Sequence, residues 1–119
     1  MSTPIIYGIP NCDTIKKTFT WFKANKIDFI FHNYKTDGIA IAKLKAWCKY
    51  ADWQLLLNKK SSTWRNTDPA TQSSITTQAA AIKLMQLHTS LIKRPVIECN
   101  NGILIGYNEA DLEKQFLKK

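Results

Sequence analysis

The spacing of apolar positions changes several times along the chain. Residues 4 to 8 form a short apolar run that predicts a buried strand. Beyond it the period lengthens: Ile15, Phe19 and Phe22 share one helical face, while Lys16, Lys23 and Lys26 fall elsewhere, which predicts an amphipathic helix over 13–25. β-branched and aromatic residues return in IDFIFHNY and stop before the turn signal Asp37-Gly38, a second strand. Two strands joined by a helix make a βαβ unit, whose crossover implies a parallel, right-handed pair.

From about residue 40 to 88 the pattern is helical. Leu44, Trp47, Cys48 and Ala51 have helical spacing, WQLLL gives a further turn, and TQAAAIKLMQLH a helix capped by Thr76 or Thr77. Between them NKKSSTWRNTDP is polar and turn-rich and predicts an exposed loop, with Asp68 capping a helix begun by Pro69. The end reads as a hairpin, RPVIEC and ILIGY around the turn NNG, followed by a helix in EADLEKQFL. The order β-α-β, helices, β-β-α predicts an α/β fold: a thioredoxin-type mixed sheet with a helical insertion between its halves. A single domain over 1–119 is expected, with residues about 40–88 as the insertion.

Composition narrows the classes. At 119 residues the chain can bury a core without disulfides or a structural metal. No apolar run approaches the ~20 residues of a membrane span. MSTPIIYG has neither a basic n-region nor a signal-length apolar core, so a cytoplasmic protein is expected. Three cysteines, Cys12, Cys48 and Cys99, make an odd number without CxxC spacing, which predicts reduced thiols. His32 and His88 offer no metal-ligand spacing, so no metal is expected. The net charge of +8 suits nucleic acid, an anionic membrane or a small anionic ligand. The lysines are scattered, through Lys43, Lys59 and the pair at 118 and 119, and solvated helix faces account for most of them.

Candidate chemistry centres on Cys12, which IIYGIPNCDTIKKTFTWF places between a strand and a helix. The amides of Asp13, Thr14 and Ile15 point outward there, and with the helix dipole they favour a thiolate. Cysteines so placed ionise in a range of roughly 3.5 to 7.5. Lys16, one turn on, adds to the effect and Asp13 opposes it. The alternative is a small apolar residue packed at a strand end, the better description of Cys48 and Cys99. Arg94 precedes Pro95 at the mouth of a strand, where an X-Pro bond suits a cis turn. Its guanidinium can hold a carboxylate or oxyanion in bidentate fashion, or form an ordinary surface ion pair.

These pieces, with YGIPNCDTIKK, DGI, LLLNKKSSTWR, LIKRP and IGYNE in order along nearly the whole chain, resemble the arsenate-reductase-related ArsC family, and more closely its Spx/YffB-type branch. The resemblance implies a thioredoxin-like fold with a helical insertion, a nucleophilic Cys12, and a cis bond at Arg94-Pro95 with Arg94 binding anion. Of the three arginines that arsenate-reducing members place around the thiolate, Arg94 alone carries over. The middle position falls on Lys60, in a loop that also offers Arg65, and the last falls near Gly106 or Tyr107. The second cysteine of the regulator members is here Ile15. The expectation is a single-cysteine thiol reductase with glutathione as co-substrate and no tightly bound cofactor. Asn11 and the first-turn amides would hold the sulfur, and Arg94, Lys60, Lys16 and Arg65 would draw the anion. Its partners are glutathione and an oxidised thiol, without membrane or direct nucleic-acid binding. Arsenate reduction, or polymerase binding by a non-catalytic regulator, are the alternatives.

Overall fold

The computed structural model describes residues 3–100 and 102–117. Asn101 of the NNG turn and the lysines at 118 and 119 lie outside the described residues. The chain divides into two units, Met1–Tyr34 with Arg94–Lys119, and Lys35–Lys93.

In the first unit β1 (Ile5–Gly8), α1 (Asp13–Ala24) and β2 (Ile30–Asn33) form the expected βαβ unit. β3 (Val96–Cys99) and β4 (Gly102–Ile105) form the hairpin that follows in the chain after the second unit. The sheet order is β2-β1-β3-β4, with β1 and β2 parallel and β1, β3 and β4 successively antiparallel. The second strand is shorter than its pattern predicts. Asp28 and Phe29 precede it, and Tyr34 opens a helical turn, α2 (Tyr34–Asp37), instead of extending the ladder.

Strand alternation separates two faces. Ile6 and Ile97 meet Ile15 and Phe22 of α1 and Leu112 of the last helix in a fully buried cluster. Phe19, Phe29, Phe31 and Phe116 pack around it, and Phe22 meets Phe116 edge-on at 5.2 Å. Tyr7 and His32, paired across β1 and β2, lie on the other face with ring centres 4.7 Å apart. α1 ends in a Schellman motif: Lys26 donates to the Lys23 carbonyl at 3.1 Å and Ile27 to that of Phe22 at 2.9 Å. The motif holds Lys26 at φ 56°, where glycine is the favoured residue. A Lys26→Gly change is therefore expected to stabilise the fold by about 0.5–1 kcal/mol, read from the urea midpoint at unchanged slope.

The second unit is helical: α3 (Ile41–Trp47), α4 (Trp53–Leu56), α5 (Ser62–Arg65), α6 (Pro69–Ser74), α7 (Gln78–Leu87) and a 3₁₀ turn at Thr89–Leu91. Leu44, Trp47, Leu56, Leu57, Ile82 and Met85 are buried, with α7 packed against α3 and α4. Thr77 and Asp68 cap their helices through side-chain oxygens. α3 ends at Trp47, so Cys48 is its C-cap and Ala51 lies past it. The stretch expected as an exposed loop contains α5, because the Ser61 hydroxyl accepts from the Trp64 amide at 3.1 Å and nucleates a turn. The last helix, α8 (Glu109–Phe116) in the first unit, starts at Asn108, whose side chain accepts from the Asp111 amide.

Candidate active site

Cys12 is positioned by the approach of α1 to β1. A Cβ at Gly8 would stand 2.9 Å from Cγ1 of Ile15 and still nearer its Cδ1. Only glycine lets the buried Ile15 seat the first turn of α1 against the strand end. Gly8→Ala is expected to destabilise the protein by about 1–3 kcal/mol in denaturant melts, the usual magnitude of overpacking. A loss below about 0.5 kcal/mol would show that Ile15 is not what sets this approach.

Cys12 itself is the N-cap of α1, with extended backbone at φ −139° and ψ 126°. Its carbonyl accepts from the Lys16 amide at 3.0 Å, while its side chain makes no capping hydrogen bond to the first turn. The sulfur is thus not committed to the cap, unlike the side chains of Asp52, Ser61, Asp68, Thr77 and Asn108 at their helices. Cys12 is half-buried against the core cluster, neither sealed in it nor fully exposed. Asn11, Asp13 and Lys16 are exposed around it. Thr14 is half-buried, its carbonyl taken by the Thr18 hydroxyl at 2.8 Å.

The antiparallel register brings Arg94 to the same end of the sheet. Tyr7 pairs with Val96, so the two residues before Val96 run alongside the segment through which β1 leads to Cys12. The Arg94-Pro95 bond is cis. Pro95 is buried and its carbonyl accepts from the Gly106 amide at 2.8 Å, which ties this turn to the end of β4. Arg94 is half-buried. Sequence reasoning did not find its aromatic surroundings. The Tyr7 hydroxyl donates to Oε1 of Glu98 at 2.9 Å, and the ring of Tyr34 lies 6.2 Å from that of Tyr7. Burial, then Tyr7 and Glu98, push the Tyr34 hydroxyl well above the usual tyrosine range, against the pull of the Arg94 charge. That hydroxyl is buried without a hydrogen-bond partner among the described residues. The hint available in the sequence was the strand period, which puts Tyr7 opposite Ile6 across the sheet.

Of the remaining candidates, Lys60, Trp64 and Arg65 belong to the helical unit, and Gly106 and Tyr107 to the first unit. Lys60 is exposed, its amide donating to Oδ1 of Asn58 at 3.1 Å, and Arg65 is exposed at the end of α5. Trp64, between them, is half-buried, with the Lys59 ammonium 5.6 Å from its ring centre. Gly106 has φ +82°, and the Tyr107 hydroxyl donates to Glu109 at 2.8 Å.

The other two thiols are held protonated. Burial, and secondarily Glu98, push Cys99 up to about 11, and burial with Asp52 raises Cys48. At pH 7 a thiol at about 11 is ionised in about one molecule in 10,000, roughly 300-fold less than a free cysteine. Limited iodoacetamide at pH 7 is therefore expected to label Cys12 first, with peptide mass mapping as the check. Because raised values are overtaken as pH increases, Cys99 should label only near or above pH 10. Cys99 ends β3 beside the start of β1, whereas Cys12 follows its other end. A four-residue strand separates them by about 13 Å, beyond disulfide reach.

A mixed four-stranded sheet with a free thiol at the start of its first helix and a cis-proline turn at the same end of the sheet defines a thioredoxin-like α/β protein. The chain belongs to the ArsC family, whose model matches residues 7–115. An uncharacterised protein of Haemophilus influenzae is 36% identical over 111 residues, 93% of this chain and 96% of its own. The solved YFFB protein superposes with a TM-score of 0.91 at 38% identity, covering 95% of this chain and 98% of its own. A solved arsenate reductase (ArsC) related protein from Brucella melitensis gives 0.75 at 35% identity, covering 99% and 97%. The global transcriptional regulator Spx of Lactiplantibacillus plantarum is 24% identical, over 97% of this chain and 87% of its own. Together they place the chain in the Spx/YffB-type part of the family. Among the described residues no helix is long and apolar enough to cross a membrane, and no three His, Cys, Asp or Glu are grouped to hold a metal ion.

Proposed function

We propose that the chain is a thiol–disulfide oxidoreductase with Cys12 as its one nucleophile and glutathione as its reductant. The observation that carries this reading is the β1–β3 register, which sets Arg94 at the sheet end from which Cys12 emerges. The Cys12 thiolate attacks the glutathionyl sulfur of a mixed disulfide R–S–S–G, forming Cys12–S–S–G. The R thiolate leaves and takes a proton from solvent. A glutathione thiolate then attacks the glutathionyl sulfur, giving glutathione disulfide and restoring Cys12. The net exchange converts R–S–S–G and one glutathione into the R thiol and glutathione disulfide, whose second half comes from the substrate, without a further cofactor. Arg94 orients a carboxylate of glutathione, and the first-turn amides with Asn11 and Lys16 stabilise the anionic sulfur. Incubation with glutathione disulfide should leave a glutathione adduct on the Cys12 peptide that excess glutathione removes. Failure to form it, or adducts on Cys48 and Cys99 instead, would overturn the reading.

A second reading rests on the Spx relative: a regulator that binds RNA polymerase without turnover. A pull-down with polymerase, run beside a glutathione-coupled reduction assay, separates the two. Arsenate reduction is less well supported. Tight oxyanion binding calls for further guanidinium forks, and the last expected position falls at Gly106 or Tyr107, whose hydroxyl is engaged by Glu109.

A further inference from the structure

The first unit contains a cavity that the chemistry at Cys12 does not use. It has a volume of about 340 Å³, within the range of small-ligand sites. Pro4, Ile27 and Phe116 supply apolar walls, and Cys99 and Gln115 complete much of the lining. Cys99 adds no charge, since its thiol is held protonated. The cavity lies where β1 begins and β3 ends, about 13 Å along the sheet from the Cys12 end.

Among the described residues, the one charged residue in the lining is Lys26. Its side chain has no hydrogen bond or ion pair among the described residues, and it is exposed. The backbone there, at φ 56°, favours glycine, so local conformation does not account for a lysine. Asp28 lies in a neighbouring hollow that Lys26 shares with a second lysine, Lys23, and Glu98, beside Cys99 on β3, has its carboxylate engaged by the Tyr7 hydroxyl. An apolar chamber with a cation on its wall matches a molecule of opposite design.

We infer that this cavity is a binding site for a small amphipathic anion, an aliphatic or aromatic carboxylate, with its apolar part between Ile27 and Phe116 and its carboxylate at Lys26. The site stands apart from Cys12 and holds whether or not that thiol turns over.

The test is an amide-shift titration of the full chain with sodium octanoate and, in parallel, with 1-octanol. Octanoate should give saturable shifts at Ile27, Cys99 and Gln115 and leave the Cys12 amide in place. It should bind about two- to fivefold more tightly than octanol, the preference an exposed ion pair supplies. Lys26→Gly, which keeps or improves the fold, should abolish that preference and leave octanol binding unchanged. Unsaturable or scattered shifts, equal affinities for the two probes in the parent protein, or a preference that survives in Lys26→Gly would each overturn the assignment.

Discussion

A Cys12→Ser variant is expected to lose glutathione-coupled disulfide reduction by about 1,000-fold or more, since a hydroxyl is almost wholly protonated at neutral pH and far less nucleophilic toward sulfur. The side chain makes no capping bond, so the exchange should not unravel α1. Stability is expected to change by less than about 1 kcal/mol. Paired measurements of initial rate and thermal midpoint therefore distinguish loss of the nucleophile from loss of the fold. Substantial turnover by Cys12→Ser would remove Cys12 from the mechanism, and Cys99 cannot replace it by register.

Removing the guanidinium should act on a different parameter. A charge-assisted hydrogen bond is worth about 1.5–3 kcal/mol. Arg94→Ala is thus expected to lower kcat/KM for glutathione by about 10- to 150-fold, mostly through KM, while alkylation of Cys12 continues. Arg94→Lys should recover only part of the loss, because an ammonium restores the charge without the planar fork. If Arg94→Ala left KM unaltered, Arg94 would be structural and the anion would have to be bound elsewhere.

Local patterning made much of the molecule legible before any coordinates. The change from an apolar run to helical spacing at Cys12 is written in consecutive residues, and α1, α7 and α8 start within a residue or two of where their patterns place them. Asp68 and Thr77 act as caps because a cap needs only its own next three residues. Two local readings went astray for the opposite reason. α5 has a capping serine but little apolar signal, so its polar stretch reads as a loop. Tyr34 belongs by composition to a strand, and its ring instead turns onto Tyr7 and His32 as the chain leaves the sheet.

What the chain determined by itself is therefore the kind and order of its elements, the reduced state expected of its thiols, and the placing of one cysteine at a helix start. The tertiary structure decided which distant residues come to the same part of the sheet. Arg94 reaches the Cys12 end, Tyr7 finds Glu98 across ninety-one positions, and residues near 4, 26, 99 and 115 enclose a common cavity. Strand register and helix packing set these meetings, and neither leaves a periodic trace in neighbouring residues, because each depends on burying surfaces that the sequence holds far apart.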